Sequence, residues 1–237
     1  MKTKLKILSI LCTSLVCCTA YAQVGIKTDT PKKTLHVNGS LQVTNEVNVG
    51  GTDNTEGSAG TSGQVLTSKG SNAHPEWQSI ETLKGSIANS IYIQGTAPQV
   101  INQGSTLDVP GVTTTITVPA GKTQTVLFMI LGYALRPTIV SGASSQGVFT
   151  LLQNNVKISS AYASSNSSDA SGGLNNLPAP ITFFKAVTLV AGTYTFRVQY
   201  AAWSANQIVN FVPSNFAGYN GDTEAMLTKM QVFVFNN

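Results

Sequence analysis

Residues 192–203 read GTYTFRVQYAAW, and this stretch decides the fold class. From Tyr194 to Tyr200 every second side chain is apolar, and the three side chains between them are polar. A period of two residues is that of a β-strand with one buried and one solvated face. The stretch therefore predicts a long β-strand that borders a hydrophobic core.

Strand patterns of this kind fill the chain from residue 91 onward, and no segment shows the 3.6-residue period of a helix. Clusters of Gly, Pro, Asn and Ser separate the strands, and residues 118–121 and 190–192 are predicted to be tight turns. About ten strands in about 150 residues predict an all-β fold, a jelly roll or β-sandwich. The predicted strands are 91–94, 106–109, 113–118, 124–134, 147–152, 156–160, 181–189, 192–203, 208–211 and 225–235.

The last predicted strand is apolar on both faces. Residues 231–235 read QVFVF, a pattern that suits burial between two sheets or against another subunit. Residues 85–237 also carry only six basic and four acidic side chains, far below the charged fraction of about 25% in an average domain. Subunit interfaces hide weakly charged faces, so we expect an oligomer. The competing expectation is that this region aggregates when it is isolated.

The chain before this region has a different repeat. Residues 35–51 contain apolar pairs every six residues, with turn-type dipeptides such as Asn38-Gly39 between them. Each unit predicts a three-residue strand and a reversal, which alone buries almost nothing and becomes stable only when it is stacked on further units. The pattern favours a fibre-like stem, and the alternative is an ordinary hairpin or meander. The apolar pairs are Leu35/Val37, Leu41/Val43 and Val47/Val49.

Composition places the boundary between the two regions near Lys84. All nine phenylalanines lie between Phe128 and Phe235, whereas the stretch before Lys84 is rich in Gly, Thr, Ser and Asn. Only the later region can therefore build a large core. The predicted domains are a signal peptide at 1–22, a repetitive β stem and linker at 23–84, and a β-sandwich or jelly-roll head at 85–237.

The first 22 residues have the organisation of a secretory signal peptide. Three lysines precede an apolar run at residues 7–18, and Ala20-Tyr21-Ala22 is a small-x-small signal that predicts cleavage after Ala22. A transmembrane anchor needs about 20 apolar residues, and this run is shorter. The alternative is a lipoprotein modified at Cys18, although Cys17 stands where a lipobox has a small residue. We expect a secreted or cell-surface protein.

Cleavage after Ala22 removes all three cysteines and three lysines. Without those three lysines, 11 of the 14 basic side chains remain, against 10 acidic ones. The formal charge of +4 therefore does not indicate a nucleic-acid-binding protein. No later stretch approaches 18 uninterrupted apolar residues, so we expect no transmembrane span in the mature chain. The sequence has no phosphate loop or dinucleotide fingerprint, and we expect no cofactor.

Two resemblances sharpen this picture. Residues 24–39, the stretch GTSGQVLTSKG at 60–70 and PEW at 75–77 resemble the stalk of tail-fibre-like surface proteins exported by Bacteroidetes-type bacteria. Residues 191–196, AGTYTF, before a long strand, and the apolar strand at the end of the chain resemble a complement-head or tumour-necrosis-factor-like jelly roll. Stalks and jelly rolls of these kinds form trimers, so the resemblances imply a homotrimer.

Side chains for catalysis are scarce. The only histidines, His36 and His74, lie in the predicted stem, which leaves the head without a Ser-His-Asp triad, a Cys-His pair or a zinc site. The one close acidic pair in the head, Asp222 and Glu224, follows Asn-Gly and predicts a solvated turn. Residues 164–173 offer a calcium ion only Asp169 as a charged ligand. We expect no metal site, no catalytic residue and no enzyme.

The function that the remaining side chains support is ligand recognition. Tyr162, Trp203, Phe216 and Tyr219 lie in or near predicted loops, where aromatic rings stack on sugars or anchor in a protein partner. The alternative is that these rings close the ends of the core. The sequence thus predicts an exported, non-enzymatic adhesive or structural trimer that displays a β head for glycan or surface-protein ligands. Its alternatives are a monomeric carbohydrate-binding module and a polysaccharide-directed enzyme.

Overall fold

The computed structural model describes residues 23–137, 142–166, 177–212 and 220–237. The predicted signal peptide at 1–22, with Cys18 and the cleavage site, lies outside the described residues. Within the described ranges no helix has the length and apolar character needed to span a membrane.

The chain divides into two compact units. One comprises the chain through Gly60 together with Ser68–Glu76, and the other comprises Thr61–Thr67 together with Trp77–Asn237. The boundary near Lys84 between stem and head stays a prediction.

The described residues are almost entirely strand and loop, with one 3-10 turn at Ile80–Thr82, which confirms the all-β prediction. The strands are β1 (Val24–Ile26), β2 (Leu35–Val37), β3 (Gln64–Thr67), β4 (Glu76–Ser79), β5 (Ile87–Gln94), β6 (Gln99–Ile101), β7 (Thr106–Gly132), β8 (Ala134–Leu135), β9 (Ser144–Gln153), β10 (Val156–Asn166), β11 (Leu177–Pro178), β12 (Ile181–Ser204), β13 (Gln207–Val209) and β14 (Lys229–Asn236).

The larger unit contains one sheet that folds onto itself. Its seven strands have the order β11-β10-β9-β12-β7-β14-β5, and β7 and β12 are long enough, at 27 and 24 residues, to serve two layers. Residues 106–118 of β7 pair with 192–201 of β12, which also pairs with β9. Residues 123–132 of β7 pair with 181–190 of β12 and with β14. One layer is therefore β10-β9-β12-β7, and the other is β12-β7-β14-β5.

The corner between the two layers lies where we predicted two tight turns, and that prediction was wrong. Val118 pairs with Gly192 and Thr123 pairs with Val190, so both strands pass the corner without reversing. Residues 119–122 form a bulge opposite Ala191, and Gly121 has a φ of 72° there. Pro and Gly fit such a bulge as well as they fit a turn, since both break regular strand geometry.

The core fills the space between the layers. Phe128 of the β14 layer packs against Phe196 of the β9 layer with ring centroids 4.5 Å apart. Within the β9 layer, Phe149 packs against its cross-strand neighbour Tyr200 at 4.7 Å. This packing of two inner faces makes the unit a β-sandwich, as predicted for the head. The core side chains lie at every second position along most of the strands. On the long strands they include Val109, Val112, Ile116, Val126, Phe128, Ile130, Phe183, Leu189, Phe196, Val198 and Tyr200.

A three-stranded sheet, β6-β13-β8, lies beside the sandwich. The next residue after β13 is Asn210, which is fully buried and has a φ of 53°. Its amide donates to the carbonyls of Ala97 (3.2 Å) and Pro110 (3.1 Å) and accepts the Thr228 N–H (2.9 Å). One side chain thus ties together three distant segments of the unit.

The smaller unit forms only part of the predicted hexad repeat. Leu35–Val37 is strand β2, which pairs in parallel with β1, and Val49 forms a single bridge with Ser58. Residues 41–43 form no strand, and Leu41 is 70% exposed. The prediction of three strand units was therefore wrong for the second unit, and the third unit forms only this single bridge. A three-residue segment without a partner has no hydrogen bonds to hold it as a strand.

Candidate functional site

Two of the four aromatic residues proposed as ligand contacts lie in the described structure, and they lie close together. Tyr162 is on β10 and Trp203 is on β12. Their ring centroids are 6.1 Å apart and the ring planes are inclined by 47°. Phe216 and Tyr219 lie outside the described residues.

Strand β9 brings this aromatic pair together. Tyr162 on one side and Ala201 on the other both pair with Val148, so β10 and β12 flank β9 at this level. The register of β12 shifts between Ala202 and Ser204, and Trp203 is the extra residue. Bulges redirect side chains, and this one sets Trp203 beside Tyr162.

Both rings are on the outer face of the β9 layer. The exposed fractions are 50% for Tyr162 and 55% for Trp203, so the two rings do not close the core, as our alternative had supposed. Beneath them, Gly147 packs so closely on Tyr200 that a Cβ would overlap the phenol. The layer that carries the two rings is therefore closely packed at this level.

A row of polar side chains crosses the same face one pleat further along. Thr150 pairs with both Ser160 and Gln199, and Gln199 pairs in turn with Asp108. This row lies two residues from Val148, about 7 Å at the usual strand rise. Paired residues of neighbouring strands point to the same face, so the row and the two rings share the outer face.

Hydrogen bonds organise the carboxylate at the end of this row. Gln199 Nε2 donates to Asp108 Oδ1 at 2.8 Å, and Arg197 Nη1 donates to Asp108 Oδ2 at 3.1 Å. The Asp108 side chain is still 48% exposed, so its remaining lone pairs face solvent. Two rings, hydroxyls, an amide and a fixed carboxylate together can stack on a ring face and bond its polar rim.

The acidic pair, Asp222 and Glu224, lies in a turn. Asp222 Oδ1 accepts the backbone N–H groups of Glu224 (2.9 Å) and Ala225 (3.1 Å). This local bonding also explains why β14 begins at Lys229 and not at the predicted residue 225. Among the described residues no cluster of three or more His, Cys, Asp or Glu side chains could hold a metal ion.

The histidines of the smaller unit have local partners. The ring of His36 accepts the Lys32 N–H at 3.3 Å, and the ring of His74 lies 3.0 Å from the Pro75 carbonyl. His74 also packs against Gly50, where an added Cβ would lie 3.1 Å from the imidazole.

Clefts occur elsewhere on the larger unit. One of about 330 Å³ is lined by Glu81, Lys122, Gln124 and Asn236 among others. Another of about 340 Å³ is lined by Gln103, Arg136, Pro137, Ala205 and Asn206. Neither contains an aromatic side chain.

Sequence reasoning missed the polar row. The alternation of residues 192–203 placed Gln199 on the polar face, but Asp108 lies 91 residues away in the chain. Only the register of β7 against β12 brings the two together, and a single sequence does not carry that register.

Comparisons with known proteins return structures and no family. No protein-family model matches the chain, and neither does any curated protein. Among solved structures it is similar to Eiger TNF from S. frugiperda, with 11% identity, a TM-score of 0.28, and coverage of 61% of this chain and 90% of that one. It is also similar to the C-terminal CBM6 of the marine laminarinase LamC from Zobellia galactanivorans, with 15% identity, a TM-score of 0.26, and coverage of 60% and 98%.

A third similar structure is the tripod (BppUct-A-L) from the baseplate of bacteriophage Tuc2009. Its identity to this chain is 17%, its TM-score is 0.28, and 84% of each chain is covered. Because all three TM-scores lie below 0.5, the β-sandwich assignment rests on the strand pairing and packing described above.

Proposed function

We propose that the chain is an exported, non-enzymatic surface protein whose β-sandwich binds a glycan through the outer face of the β9 layer. The observation that carries this proposal is the exposed pair Tyr162 and Trp203, with rings 6.1 Å apart. A sugar presents a C–H face that stacks on aromatic rings and hydroxyls that bond polar groups. The neighbouring row of Thr150, Gln199 and Asp108 supplies those polar groups.

A face of this shape favours an extended ligand. The rings and the polar row lie on a sheet surface, so a glycan chain can run across several strands without entering a pocket. Aromatic anchors carry most of the binding energy at such surfaces, and truncating one costs about 2 kcal/mol or more, which is about 30-fold in affinity.

The test is a glycan array probed with the full chain and three variants. Trp203→Ala and Tyr162→Ala should each lower binding to the array hits at least 30-fold. Val156→Ala is the matched control, since Val156 is 66% exposed and begins β10, six residues before Tyr162. Binding that survives Trp203→Ala unchanged, or a wild-type chain that binds no glycan, would refute the glycan site. Binding to a surface protein alone would favour that ligand class instead.

The smaller unit supports the homotrimer in this proposal. Its apolar side chains lie in water in the single chain, and burying them requires further chains. Exposed fractions are 52% for Val24, 46% for Ile26, 56% for Leu35, 70% for Leu41 and 50% for Val43. Light scattering of the full chain should give three times the chain mass, and a stable, well-folded monomer would refute the trimer.

Export is supported by the signal-peptide pattern of residues 1–22. Mass analysis of the protein recovered from its native host should give an N-terminus at Gln23. An N-terminus at Cys18 that carries lipid would establish the lipoprotein instead.

The non-enzymatic part of the proposal is supported by the bonding of Asp222, whose carboxylate caps its own turn. Turnover of a polysaccharide that is lost in an Asp222→Asn and Glu224→Gln double variant would contradict it.

A further inference from the structure

The second layer of the sandwich has an outer face of its own, formed by β5, β14, residues 123–132 of β7 and residues 181–190 of β12. We call it the β14 face. Its central row, read across the four strands, is Tyr92, Gln231, Met129 and Phe184. The next row is Ser90, Phe233, Leu127 and Ala186. Apolar side chains therefore dominate a face that points away from the core.

Much of this apolar surface lies in water. The exposed fractions are 58% for Tyr92, 38% for Met129, 56% for Phe184 and 56% for Ile87 at the edge of the face. At roughly 200 Å² for a large side chain, these four expose about 400 Å². Partly exposed Phe233, Phe235, Leu127 and Leu131 add to it. The largest apolar patch on a typical monomer is about 300–600 Å² and is often a functional surface.

The face carries almost no charge. Besides the two rows above, it contains the row Gln94, Lys229, Leu131 and Thr182 and the row Ile87, Phe235, Thr125 and Thr188. Among these described positions Lys229 alone is charged. Two copies of this face can therefore approach each other without electrostatic repulsion between like charges.

We propose that the β14 face is the surface through which copies of this chain contact each other in the head. This proposal rests on the homotrimer of the proposed function and names the surface that forms it. The face fits a copy better than a peptide, because it is a broad surface of four paired strands. A standard interface buries about 800 Å² per partner with an apolar core, and the exposed apolar patch is about half of that area.

The proposed contact surface and the proposed glycan-binding surface lie on opposite sides of the sandwich. The aromatic pair lies on the outer face of the β9 layer, and the β14 face lies on the other side of the core. Packing the β14 faces round a common axis therefore leaves Tyr162 and Trp203 of every copy on the outside, open to ligand.

The first test places a charge at the centre of the face. Met129 is on β7, between β14 and β12, so Met129→Lys sets one lysine per copy against its neighbours. The full chain with this substitution should dissociate at concentrations at least tenfold higher than the parent, measured by sedimentation equilibrium. Val156→Lys is the control and should sediment like the parent. A Met129→Lys chain that keeps the parent's mass overturns the β14 face while the trimer itself stands.

A second test works even if Met129→Lys does not fold. Met129→Cys is treated with a thiol-specific cross-linker of about 10 Å reach, the spacing of two packed sheets. Met129→Cys should form covalent dimers. The parent chain and Val156→Cys should form none, and the parent chain controls for Cys12, Cys17 and Cys18. Equal cross-linking of all three overturns the proposal. Glycan binding measured on the same samples tests the recognition site separately, since that site lies on the other layer.

Discussion

The buried amide of Asn210 gives the sharpest quantitative prediction of stability. Replacing it by alanine removes the bonds to Ala97, Pro110 and Thr228, of 3.2, 3.1 and 2.9 Å. Pro110 keeps its bond from the Thr96 N–H at 3.1 Å, so Ala97 C=O and Thr228 N–H are the two groups left without this partner. Thr228 is fully buried, so its unpaired N–H costs about 1–3 kcal/mol. Ala97 is exposed, so water can replace the bond to its carbonyl.

The backbone adds a further cost. Asn210 has a φ of 53°, a left-handed conformation that asparagine tolerates and that costs an alanine about 1 kcal/mol. The free energy of unfolding should therefore fall by about 3 kcal/mol in Asn210→Ala, which is a decrease in Tm of roughly 10 °C for a domain of this size.

Urea unfolding followed by circular dichroism measures this difference, with Asn154→Ala as the matched control. Asn154 is also left-handed, with a φ of 47°, and it accepts the Thr195 N–H at 2.9 Å in an exposed position. Water replaces that bond, so the control should lose only about 1–2 kcal/mol. Equal losses in the two variants, or a loss below about 1 kcal/mol for Asn210→Ala, would refute the reasoning.

Two further predictions concern ionisable side chains. Burial raises the pKa of Tyr200 above the ordinary tyrosine value of 10.0, so the free energy of unfolding should be level below about pH 10 and fall above it, as only the unfolded phenol ionises. Tyr200→Phe should flatten that fall in urea titrations; a parallel slope would contradict this assignment. Asp108→Asn should change the free energy of unfolding by less than about 1 kcal/mol, because the ion pair with Arg197 is partly exposed. The same variant should bind glycan about tenfold more weakly, measured by calorimetry. Unchanged affinity would remove Asp108 from the site.

Local patterns predicted the faces of the strands well. The period of two in residues 192–203 placed Phe196 and Val198 inward, and both are fully buried. Residues 231–235 were predicted to be apolar on both faces, and in β14 Val232 and Val234 are buried in the core while Phe233 and Phe235 are on the outer side. Alternation is a local property of the chain, so it can be read without knowing the partner strands.

Long-range features were not readable in this way. A Pro-Ala-Gly sequence predicted a turn at 118–121, but the strand continues because β12 bends beside it with its own glycine at 192. The polar row of the candidate site likewise depends on pairing between β7, β12 and β9. Register sets which side chains meet, and it is decided by packing across the whole sheet and not by any one strand.

The central claim is that ligand lies on Trp203, and fluorescence tests it most directly. The chain has two tryptophans, so Trp77→Phe leaves Trp203 as the only indole. Titrating this variant with a glycan hit should shift its emission to the blue and protect it from acrylamide quenching, since a bound sugar removes the exposed ring from water. A chain that binds the glycan while the Trp203 emission and quenching stay unchanged would contradict the account.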